Sequence, residues 1–343
     1  MRRRGKGPLF AVLLIILAAS VVLAVSIGSV KMPLWDVVRI LISQLPGMGG
    51  AASGIGAPYR RIILDVRLPV VMMALFVGAG LSSSGASMQG LFKNPLVDPF
   101  IIGISAGGAL GYVVGILATE GAPYYLVNPV RIVLSFLFSV GAVFLAYTVA
   151  RKGSKVPLTH LLLAGVALSA SLTAATQLLV YLRIEDPTPV IFSLMGSASN
   201  SRWWEVGVVA PVVTLGTILL MAFGRDLNAF SAGEETARNL GVNVEWSKVA
   251  VLLLASLVSA IGVPFVGMIG FVGLMVPHMV RRFTGPDQRV LLPASALFGG
   301  SFLVLCDLFS RSVIDVTIPL GIVTGLLGGA FFIYLLKGRR WGK

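Results

Sequence analysis

The chain has 343 residues, of which 56% are hydrophobic and only 12% are charged, about half the charged fraction of an ordinary soluble domain. This composition excludes a soluble globular enzyme. A helix needs about 20 apolar residues to cross about 30 Å of hydrocarbon, so the length allows roughly ten membrane spans. No polar stretch exceeds about 25 residues, which is too short for a soluble catalytic domain.

The formal net charge of +13 arises from 27 Lys and Arg residues against 14 Asp and Glu residues. A basic protein can attract nucleic acid, but here the basic residues form small clusters between apolar runs. The clusters are Arg2, Arg3, Arg4 and Lys6; Arg151, Lys152 and Lys155; Arg281 and Arg282; and Lys337, Arg339, Arg340 and Lys343. This is the positive-inside pattern of a multispanning protein of the cell membrane, so we expect lipid contacts and no nucleic-acid partner.

The apolar runs predict an all-α membrane protein, a polytopic bundle of about ten transmembrane helices that forms one domain over residues 1–343. The predicted spans are residues 9–28, 68–88, 101–118, 130–150, 158–182, 206–223, 248–265, 268–281, 292–310 and 318–336. An inside amino terminus places about two thirds of the basic residues on cytoplasmic segments, which predicts that both termini are cytoplasmic. Pro264 and Gly267 mark either a tight turn between the seventh and eighth spans or a kink in one helix.

Small residues recur at i, i+4 spacing in two spans, and this spacing places them on one face of a helix. They are Gly103, Gly107, Gly111 and Gly115 in the third span, and Gly321, Gly325 and Gly329 in the tenth. Because lipid gives no hydrophobic drive for helix association, close backbone contact through small residues must supply the packing. We expect packing in the third span, whereas packing and substrate contact both remain open for the tenth.

A second glycine and proline pattern recurs at an offset of 182 residues. Gly80, Gly85, Pro95 and Gly103 have the same spacing as Gly262, Gly267, Pro277 and Gly285. The pattern reflects either an inverted-topology repeat of five spans or coincidence in a chain with 40 glycines.

The polar stretch from Gly224 to Lys248 predicts a short capped helix outside the membrane. Ser231 precedes Glu234 by three residues, the spacing of a capping box, and Gly241 offers a left-handed stop after about eight helical residues. Either this helix is a solvated connector or it binds a cytoplasmic partner, and its length and caps favour the second interpretation. The candidate contact residues are Ser231, Glu234, Glu235, Arg238 and Gly241.

The sequence offers no catalytic or metal site. It contains no Gly-x-x-x-x-Gly-Lys-Ser/Thr motif, so we do not expect the chain to bind ATP itself. His160 and His278 lie far apart without the spacing of metal ligands. The single cysteine, Cys306, excludes a disulfide framework, and we expect it to be a small core residue. We therefore expect no bound cofactor and no metal.

Blocks of sequence spread over nearly the whole chain resemble one family, the permease subunits of ATP-binding-cassette importers for iron-siderophores, haem and cobalamin. The blocks are Arg67-Leu-Pro69, Gly85–Pro99, Gly103–Gly107, Leu227–Gly241, Gly270–Arg282, Asp307–Arg311 and Ile318–Gly325. The sequence departs from the family pattern in two places. Val70 follows Leu-Pro where the family often has Arg, and Gly328-Gly-Ala-Phe331 stands where the family has an ending like Gly-Ala-Pro-Phe in the last span.

The resemblance implies a homodimer of ten-span permeases with two cytoplasmic ATPase subunits beneath it and a soluble substrate-binding protein outside. It also implies a pathway along the dimer axis that is lined by the fifth and tenth spans, which makes Gly321 and Gly325 candidate pathway residues. Asn94 and Leu96 would form the cytoplasmic gate, although Asn94-Pro-Leu-Val-Asp98 also predicts an ordinary tight turn.

The fifth span carries an uncharged polar stripe at i, i+4 spacing: Gly165, Ser169, Thr173 and Gln177. Leu161, Leu172 and Leu179 are left for its other faces. Such a stripe suits a bulky complex that must pass without binding tightly, and interhelical hydrogen bonding is the alternative.

Four arginines are predicted at the outer ends of spans, where the positive-inside bias makes them unusual: Arg60, Arg61, Arg67 and Arg311. The resemblance implies that Arg67 and Arg311 bind carboxylates of the substrate-binding protein, with Arg60 and Arg61 nearby. The alternative is local ion pairing with Asp65 and Asp307.

Together these features predict the permease of an importer for a metal chelate, an iron-siderophore first and haem or cobalamin next. The rival is a secondary transporter driven by H⁺ or Na⁺, which needs carboxylates near the bilayer centre. No Asp or Glu falls near the centre of a predicted span, and Asp307 comes closest. An intramembrane enzyme is excluded for want of a convergent catalytic set.

Overall fold

A computed structural model describes residues 7–28, 30, 32–153, 156–313 and 316–338. The predicted basic residues Arg2, Arg3, Arg4, Lys6, Lys155, Arg339, Arg340 and Lys343 lie outside these ranges. The helices are α1 (Gly7–Ser26), α2 (Leu34–Ile42), α3 (Ala57–Arg61), α4 (Leu68–Leu91), α5 (Ile104–Ala118), α6 (Tyr124–Ala150), α7 (Leu158–Arg183), α8 (Thr188–Leu194), α9 (Trp203–Ala222), α10 (Gly224–Ser231), α11 (Glu234–Asn239), α12 (Val244–Ala260), α13 (Val263–Val266), α14 (Val272–Thr284), α15 (Gln288–Ser312) and α16 (Leu320–Gly338). The described residues contain no strand, so the all-α prediction is confirmed.

Seven helices in the described ranges are long and apolar enough to cross a membrane. They are Gly7–Ser26, Ala57–Leu91, Tyr124–Ala150, Leu158–Arg183, Trp203–Ala222, Val244–Val266 and Gln288–Ser312. Ile104–Ala118 and Leu320–Leu335 are apolar but shorter, and the 13 residues of α14 rise only about 20 Å. Helices therefore occur in all ten predicted runs, but the number of ten complete spans is not confirmed. The membrane side of each terminus stays a prediction.

The chain turns sharply between the seventh and eighth predicted spans. The short helix α13 ends at Gly267, which has φ +68°, and Phe271 has φ +68° where α14 begins. Glycine adopts this backbone region without penalty, and a Cβ at Gly267 would meet the Ser193 carbonyl oxygen at 2.5 Å. Of the two alternatives, the tight turn is correct.

The proposed repeat is not supported in the register read from the sequence. Gly80 and Gly85 lie inside the continuous helix α4, whereas Gly262 and Gly267 flank the four-residue helix α13. Equivalent residues of a repeat should occupy equivalent local structures, so this register does not pair equivalent positions.

Helix α4 occupies the centre of the bundle and contacts α9, α12, α14 and α15. Its glycines allow this arrangement, because a Cβ at Gly85 would overlap the Gly273 carbonyl of α14 and a Cβ at Gly78 would overlap the Gly299 carbonyl of α15. On the same helix, Ser83 shares a 3.0 Å hydrogen bond with Thr217 of α9. Backbone contact and buried hydroxyls thus pack the bundle together with buried apolar side chains of α4 such as Met73, Met88 and Leu91.

The glycines of α5 pack against α6, as predicted for the third span. A Cβ at Gly107 would overlap the Phe138 carbonyl, one at Gly111 would overlap the Leu134 carbonyl, and one at Gly115 would crowd Arg131. Cys306 is 4% exposed and belongs to the buried core, which confirms its predicted role.

Candidate functional site

The polar stripe predicted on α7 does not form one surface. A Cβ at Gly165 would meet the Ile101 carbonyl oxygen at 2.5 Å, and the Ser169 Oγ is buried where a Cβ at Gly103 would approach it to 3.6 Å. Thr173 and Gln177 are exposed. Each step of four residues rotates about 40° around an α-helix, so three steps turn the stripe by about 120°. The first half therefore packs inside the protomer, and only the second half is open.

Helix α7 has few neighbours for a long apolar helix. Only 11% of its most apolar 18-residue stretch is buried, whereas 72% of the corresponding stretch of α15 is buried. Large apolar side chains such as Leu163, Leu178 and Tyr181 are exposed beside Thr173 and Gln177. Lipid or another protein chain must cover this face, because such a surface is unfavourable in water.

The glycines of α16 have two different environments. A Cβ at Gly321 would overlap the Met195 carbonyl, whereas nothing lies within 4 Å of a Cβ at Gly325 or Gly329. Gly321 is therefore a packing residue, and Gly325 is free to face a pathway. The amides of Leu320 and Gly321 donate to the carbonyls of Gly196 (2.7 Å) and Met195 (3.1 Å).

The α16 contact belongs to a backbone junction that sequence reasoning missed. The Ser197 amide donates to the Val266 carbonyl at 2.9 Å, and the Met268 amide donates to the Leu194 carbonyl at 3.3 Å. The ends of α8 and α13 are thus joined to each other as well as to α16. The available sequence signal for this junction was Gly196, a glycine just after α8, and its φ of +84° is a backbone angle that favours glycine.

Asn94 and Leu96 lie in a tight turn between α4 and α5. The Leu96 amide donates to the Asn94 Oδ1 at 3.0 Å, and the Phe100 amide donates to the Asp98 Oδ1 at 2.9 Å. The predicted turn is confirmed, and Leu96 remains 43% exposed. Burial raises the pKa of Asp98 to about 6, although the Phe100 amide acts in the opposite direction.

The predicted capping box is wrong. Ser231 is the last residue of α10, and its Oγ donates to the Leu227 carbonyl at 3.2 Å. Gly233, with φ +122°, interrupts the helical backbone between α10 and α11. Helix α11 therefore spans only six residues, and no side chain caps its amino terminus. The predicted stop is confirmed, because Gly241 has φ +83° and its amide donates to the Arg238 carbonyl at 2.9 Å.

An ion-pair network fixes α11 to the start of α12. The Lys248 Nζ lies 2.8 Å from the Glu234 Oε2 and 3.4 Å from the Glu245 Oε1, and its side chain is only 7% exposed. Arg238 adds a contact of 3.6 Å to the same oxygen of Glu245. Sequence reasoning missed Lys248 and Glu245, although their i, i+3 spacing at the start of a helix was a usable signal.

Glu245 also contacts the segment that leads into α7. The Val156 amide donates to the Glu245 Oε2 at 3.4 Å, and Pro157 is the N-cap of α7. A cavity of about 550 Å³ lies at this place. Its lining residues are Val156, Pro157, Glu234, Glu235, Arg238, Glu245 and Lys248. One carboxylate thus connects α11 and α12 to the beginning of α7.

Further polar contacts fix α10 at the same end of the bundle. The Asn228 Nδ2 donates to the Asp287 Oδ1 at 2.8 Å, the Gln288 amide donates to the Asn228 Oδ1 at 2.8 Å, and the Ser247 Oγ donates to the Asp226 Oδ2 at 2.7 Å. The Asp287 pKa lies well below its ordinary value, mainly because of hydrogen bonds from Arg289. Helices α10 and α11 thus rest on the ends of α12 and α15 through polar contacts.

Arg67 is not a surface residue. It is 6% exposed, and its guanidinium donates to the carbonyls of Val25 (2.9 Å), Ser26 (3.1 Å) and Val30 (2.6 Å). These carbonyls include two at the end of α1, which have no partner within the helix. The expectation that Arg67 binds a soluble protein is corrected accordingly, because its donors are used inside the chain.

The other three outer arginines differ in their partners. Arg311 contacts the Asp307 Oδ2 at 2.8 Å, and Asp307 is 1% exposed, so the alternative of a local ion pair is confirmed here. Arg60 and Arg61 are exposed on α3. Within the described ranges neither of them forms an ion pair, with Asp65 or any other acidic residue.

No group of three His, Cys, Asp or Glu residues in the described part of the chain could hold a metal ion. The buried Asp307 of α15 is paired with Arg311. It is therefore not an unpaired carboxylate of the kind that an ion-coupled transporter places in a span.

Comparison with known proteins gives the context of these features. Residues 14–338 match the FecCD transport family. The chain is 43% identical over 286 residues to the cobalamin import system permease protein BtuC of Halobacterium salinarum, covering 83% of this chain and 76% of that protein. It is 38% identical over 282 residues to the hemin transport system permease protein HmuU of Yersinia pestis, covering 81% and 84%.

A solved structure agrees over almost the whole length. It is a metal-chelate type ABC transporter in an inward-facing conformation, with a TM-score of 0.82, 31% sequence identity, and coverage of 97% of this chain and 100% of that chain. The seven apolar spans and these relatives identify a multi-pass protein of the inner membrane. The chain belongs to the FecCD transport family and is a permease of ABC importers of the metal-chelate type.

Proposed function

We propose that this permease works as a homodimer in which α7 and α16 of the two copies enclose the transport pathway. Thr173, Gln177 and Gly325 would line it, while Gly165, Ser169 and Gly321 support these helices by packing. The observation that carries the proposal is the open face of α7, a helix of which only 11% is buried along its most apolar stretch in one protomer. Hydroxyl and amide groups without charge allow a bulky complex to pass without tight binding.

We further propose that α11 binds a cytoplasmic ATPase subunit, one for each copy of the permease. Glu235 and Arg238 are exposed on α11, while Glu234 and Gly241 set its position. Ser231 contributes only through α10. The predicted cytoplasmic position of the termini places the turn at Asn94 and Leu96 on the cytoplasmic side, where it would form the exit gate. The 43% exposure of Leu96 supports that role.

The cargo is proposed to be a ferric siderophore, haem or cobalamin, delivered by a soluble substrate-binding protein outside the membrane. The sequence ranks a ferric siderophore first and haem or cobalamin next, and the two relatives named above are named for cobalamin and hemin. Arg60 and Arg61 are the proposed contacts for carboxylates of the binding protein. Arg311 is not included, because its side chain is only 15% exposed and is paired with Asp307.

Single cysteines test the pathway. We expect Thr173→Cys and Gln177→Cys, reconstituted in vesicles with the ATPase, to react with a water-soluble thiol reagent. The matched control is Thr176→Cys, because Thr176 is 5% exposed on the same helix, and the native Cys306 should stay unlabelled. A thiol in lipid or packed protein neither meets the reagent nor ionises. Failure of both exposed positions to react would place this face in lipid and refute the pathway.

ATP-dependent uptake of labelled cobalamin, haem and a ferric siderophore by the same vesicles tests the cargo. The expected result is accumulation of one of them, only with the binding protein present. Accumulation that follows a proton gradient without ATP would refute the assignment.

A further inference from the structure

Helix α2 lies outside every predicted span and has two apolar faces with different surroundings. Val37 and Ile40 point into the bundle and are fully buried. Leu34 is 51% exposed, Trp35 is 70% exposed and Ile42 is 39% exposed. A nine-residue helix with this exposed face is unfavourable in water, so some apolar surface must cover it.

The charged residues of α2, Asp36 and Arg39, border this outward face with side chains that are 39% and 33% exposed. Arg39 lies 3.9 Å from Asp36, and its Nε and Nη2 donate to the carbonyls of Ala51 (2.8 Å) and Ser53 (2.9 Å). The guanidinium is thus used by the segment that follows α2. Leu45 and Met48, at 54% and 50% exposure, extend the apolar surface beyond the end of the helix.

This surface continues the membrane-facing side of α1. Helix α1 exposes apolar side chains along its length, including Ile15 at 68%. Ile27 and Val30, at 44% and 38% exposure, lie between α1 and α2. Only seven residues separate the two helices, and α2 packs directly on α1, so α2 lies at the level where α1 leaves the hydrocarbon.

The next helix along the chain differs sharply from α2. Arg60 and Arg61 on α3 and the nearby Asp65 are exposed and charged, which suits water and a charged soluble protein. Helix α2 presents tryptophan and leucine instead. Tryptophan is enriched at the boundary between hydrocarbon and headgroups, where its ring is buried and its N–H meets polar groups.

We propose that α2 is an interfacial helix whose outward face, formed by Leu34, Trp35 and Ile42, inserts into the headgroup boundary of the bilayer. Its ligand is the phospholipid surface, and burial of the apolar face supplies the binding energy. The inserted helix fixes how deeply the segment from α1 to α4 lies in the bilayer, and it leaves α3 in water. This assignment requires only that the chain spans a membrane, so it is independent of the cargo, the dimer and the ATPase.

The experiment uses an environment-sensitive fluorophore on single cysteines in the full chain, reconstituted in phosphatidylcholine and phosphatidylglycerol vesicles. The labelled variants are Leu34→Cys, Trp35→Cys and Leu45→Cys, and the matched control is Arg60→Cys. We expect a blue-shifted emission and stronger quenching by a lipid-attached nitroxide at positions 34, 35 and 45. Position 60 should instead be quenched by aqueous iodide. Because the three sites are separate, misfolding of one variant leaves the comparison intact.

Two outcomes would overturn the proposal. In one, positions 34 and 35 show the same iodide quenching as position 60 and no quenching by lipid nitroxide, which places α2 in water. In the other, these positions become protected only when the soluble binding protein is added, which makes α2 a protein contact. Wild-type permease with its buried Cys306 controls for labelling at the native thiol.

Discussion

Replacing Lys248 by Met removes the charge that holds α11 against α12. In the native chain its Nζ lies 2.8 Å from Glu234 and 3.4 Å from Glu245. Methionine keeps the length of the apolar stem but leaves the two carboxylates without this partner. Among the described residues, Arg238 is then the cation that remains at this place, at 3.6 Å from Glu245.

The expected cost lies between two limits. Breaking a fully buried ion pair costs about 3–5 kcal/mol, whereas an exposed pair contributes about 0–1 kcal/mol. Lys248 is 7% exposed, but Glu234 and Glu245 keep 41% and 30% exposure and therefore part of their hydration. We expect about 2 kcal/mol, which raises the population of undocked α11 about 30-fold.

Hydrogen exchange measures this opening directly. Helix α11 has six residues and no side-chain cap, so it does not persist once undocked. The amides of Ala237, Leu240 and Val242, which donate within this turn, should exchange about 30-fold faster in the variant, whereas amides inside α4 should not change. Lys152→Met is the matched control, because Lys152 is exposed and has no ion-pair partner among the described residues. Unchanged exchange in α11, or the same increase in the control, would refute the reasoning.

Three further outcomes are expected. Gly85→Ala should cost more than about 3 kcal/mol, because its Cβ would overlap a backbone carbonyl, while Gly325→Ala should be nearly neutral; thermal unfolding in detergent compares them. Arg67→Met should lower the unfolding temperature by loss of three buried hydrogen bonds, whereas Arg60→Met should leave it unchanged and slow association of the binding protein at low salt; equal melting of the two refutes the assignment. Burial raises the pKa of Asp98 from 3.8 to about 6 in the folded chain. Between these pH values the folded chain binds more protons than the unfolded chain, so the free energy of unfolding falls as the pH rises from about 4 to about 6. Asp98→Asn should abolish this fall, as chemical denaturation across the range will test.

Features governed by neighbours in sequence were predictable. The glycines of α5, the turn at Asn94, the stop at Gly241 and the pair Asp307–Arg311 all depend on contacts or periodicities within a few residues. The capping box failed for a local reason as well, because Ser231 satisfies its hydroxyl within α10 and Gly233 ends the helical path. A spacing of three residues indicates a cap only where the intervening backbone is helical.

Features governed by distant partners were not predictable from one sequence. Arg67 has the same local signal as Arg60, namely a basic residue at the outer end of a span. Only the fold places it beside the carbonyls of Val25 and Ser26, about 40 residues earlier in the chain. The α7 stripe failed similarly, since helix geometry places Gly165 and Thr173 about 80° apart but does not identify what covers each of them.

The contact between α11 and α7 also depends on a distant partner. The two helices are far apart in sequence, and neither pattern suggests a connection. Glu245 provides one, because its Oε1 contacts Lys248 and Arg238 while its Oε2 accepts the Val156 amide just before α7. Among the described residues, a displacement of α11 by the proposed ATPase would therefore act on the first turn of α7 through the Glu245 carboxylate. The connection lies at the end of the bundle, where Val156 and Lys248 also line a small cavity with Leu91, the last residue of α4, so a displacement there also reaches the end of the central helix.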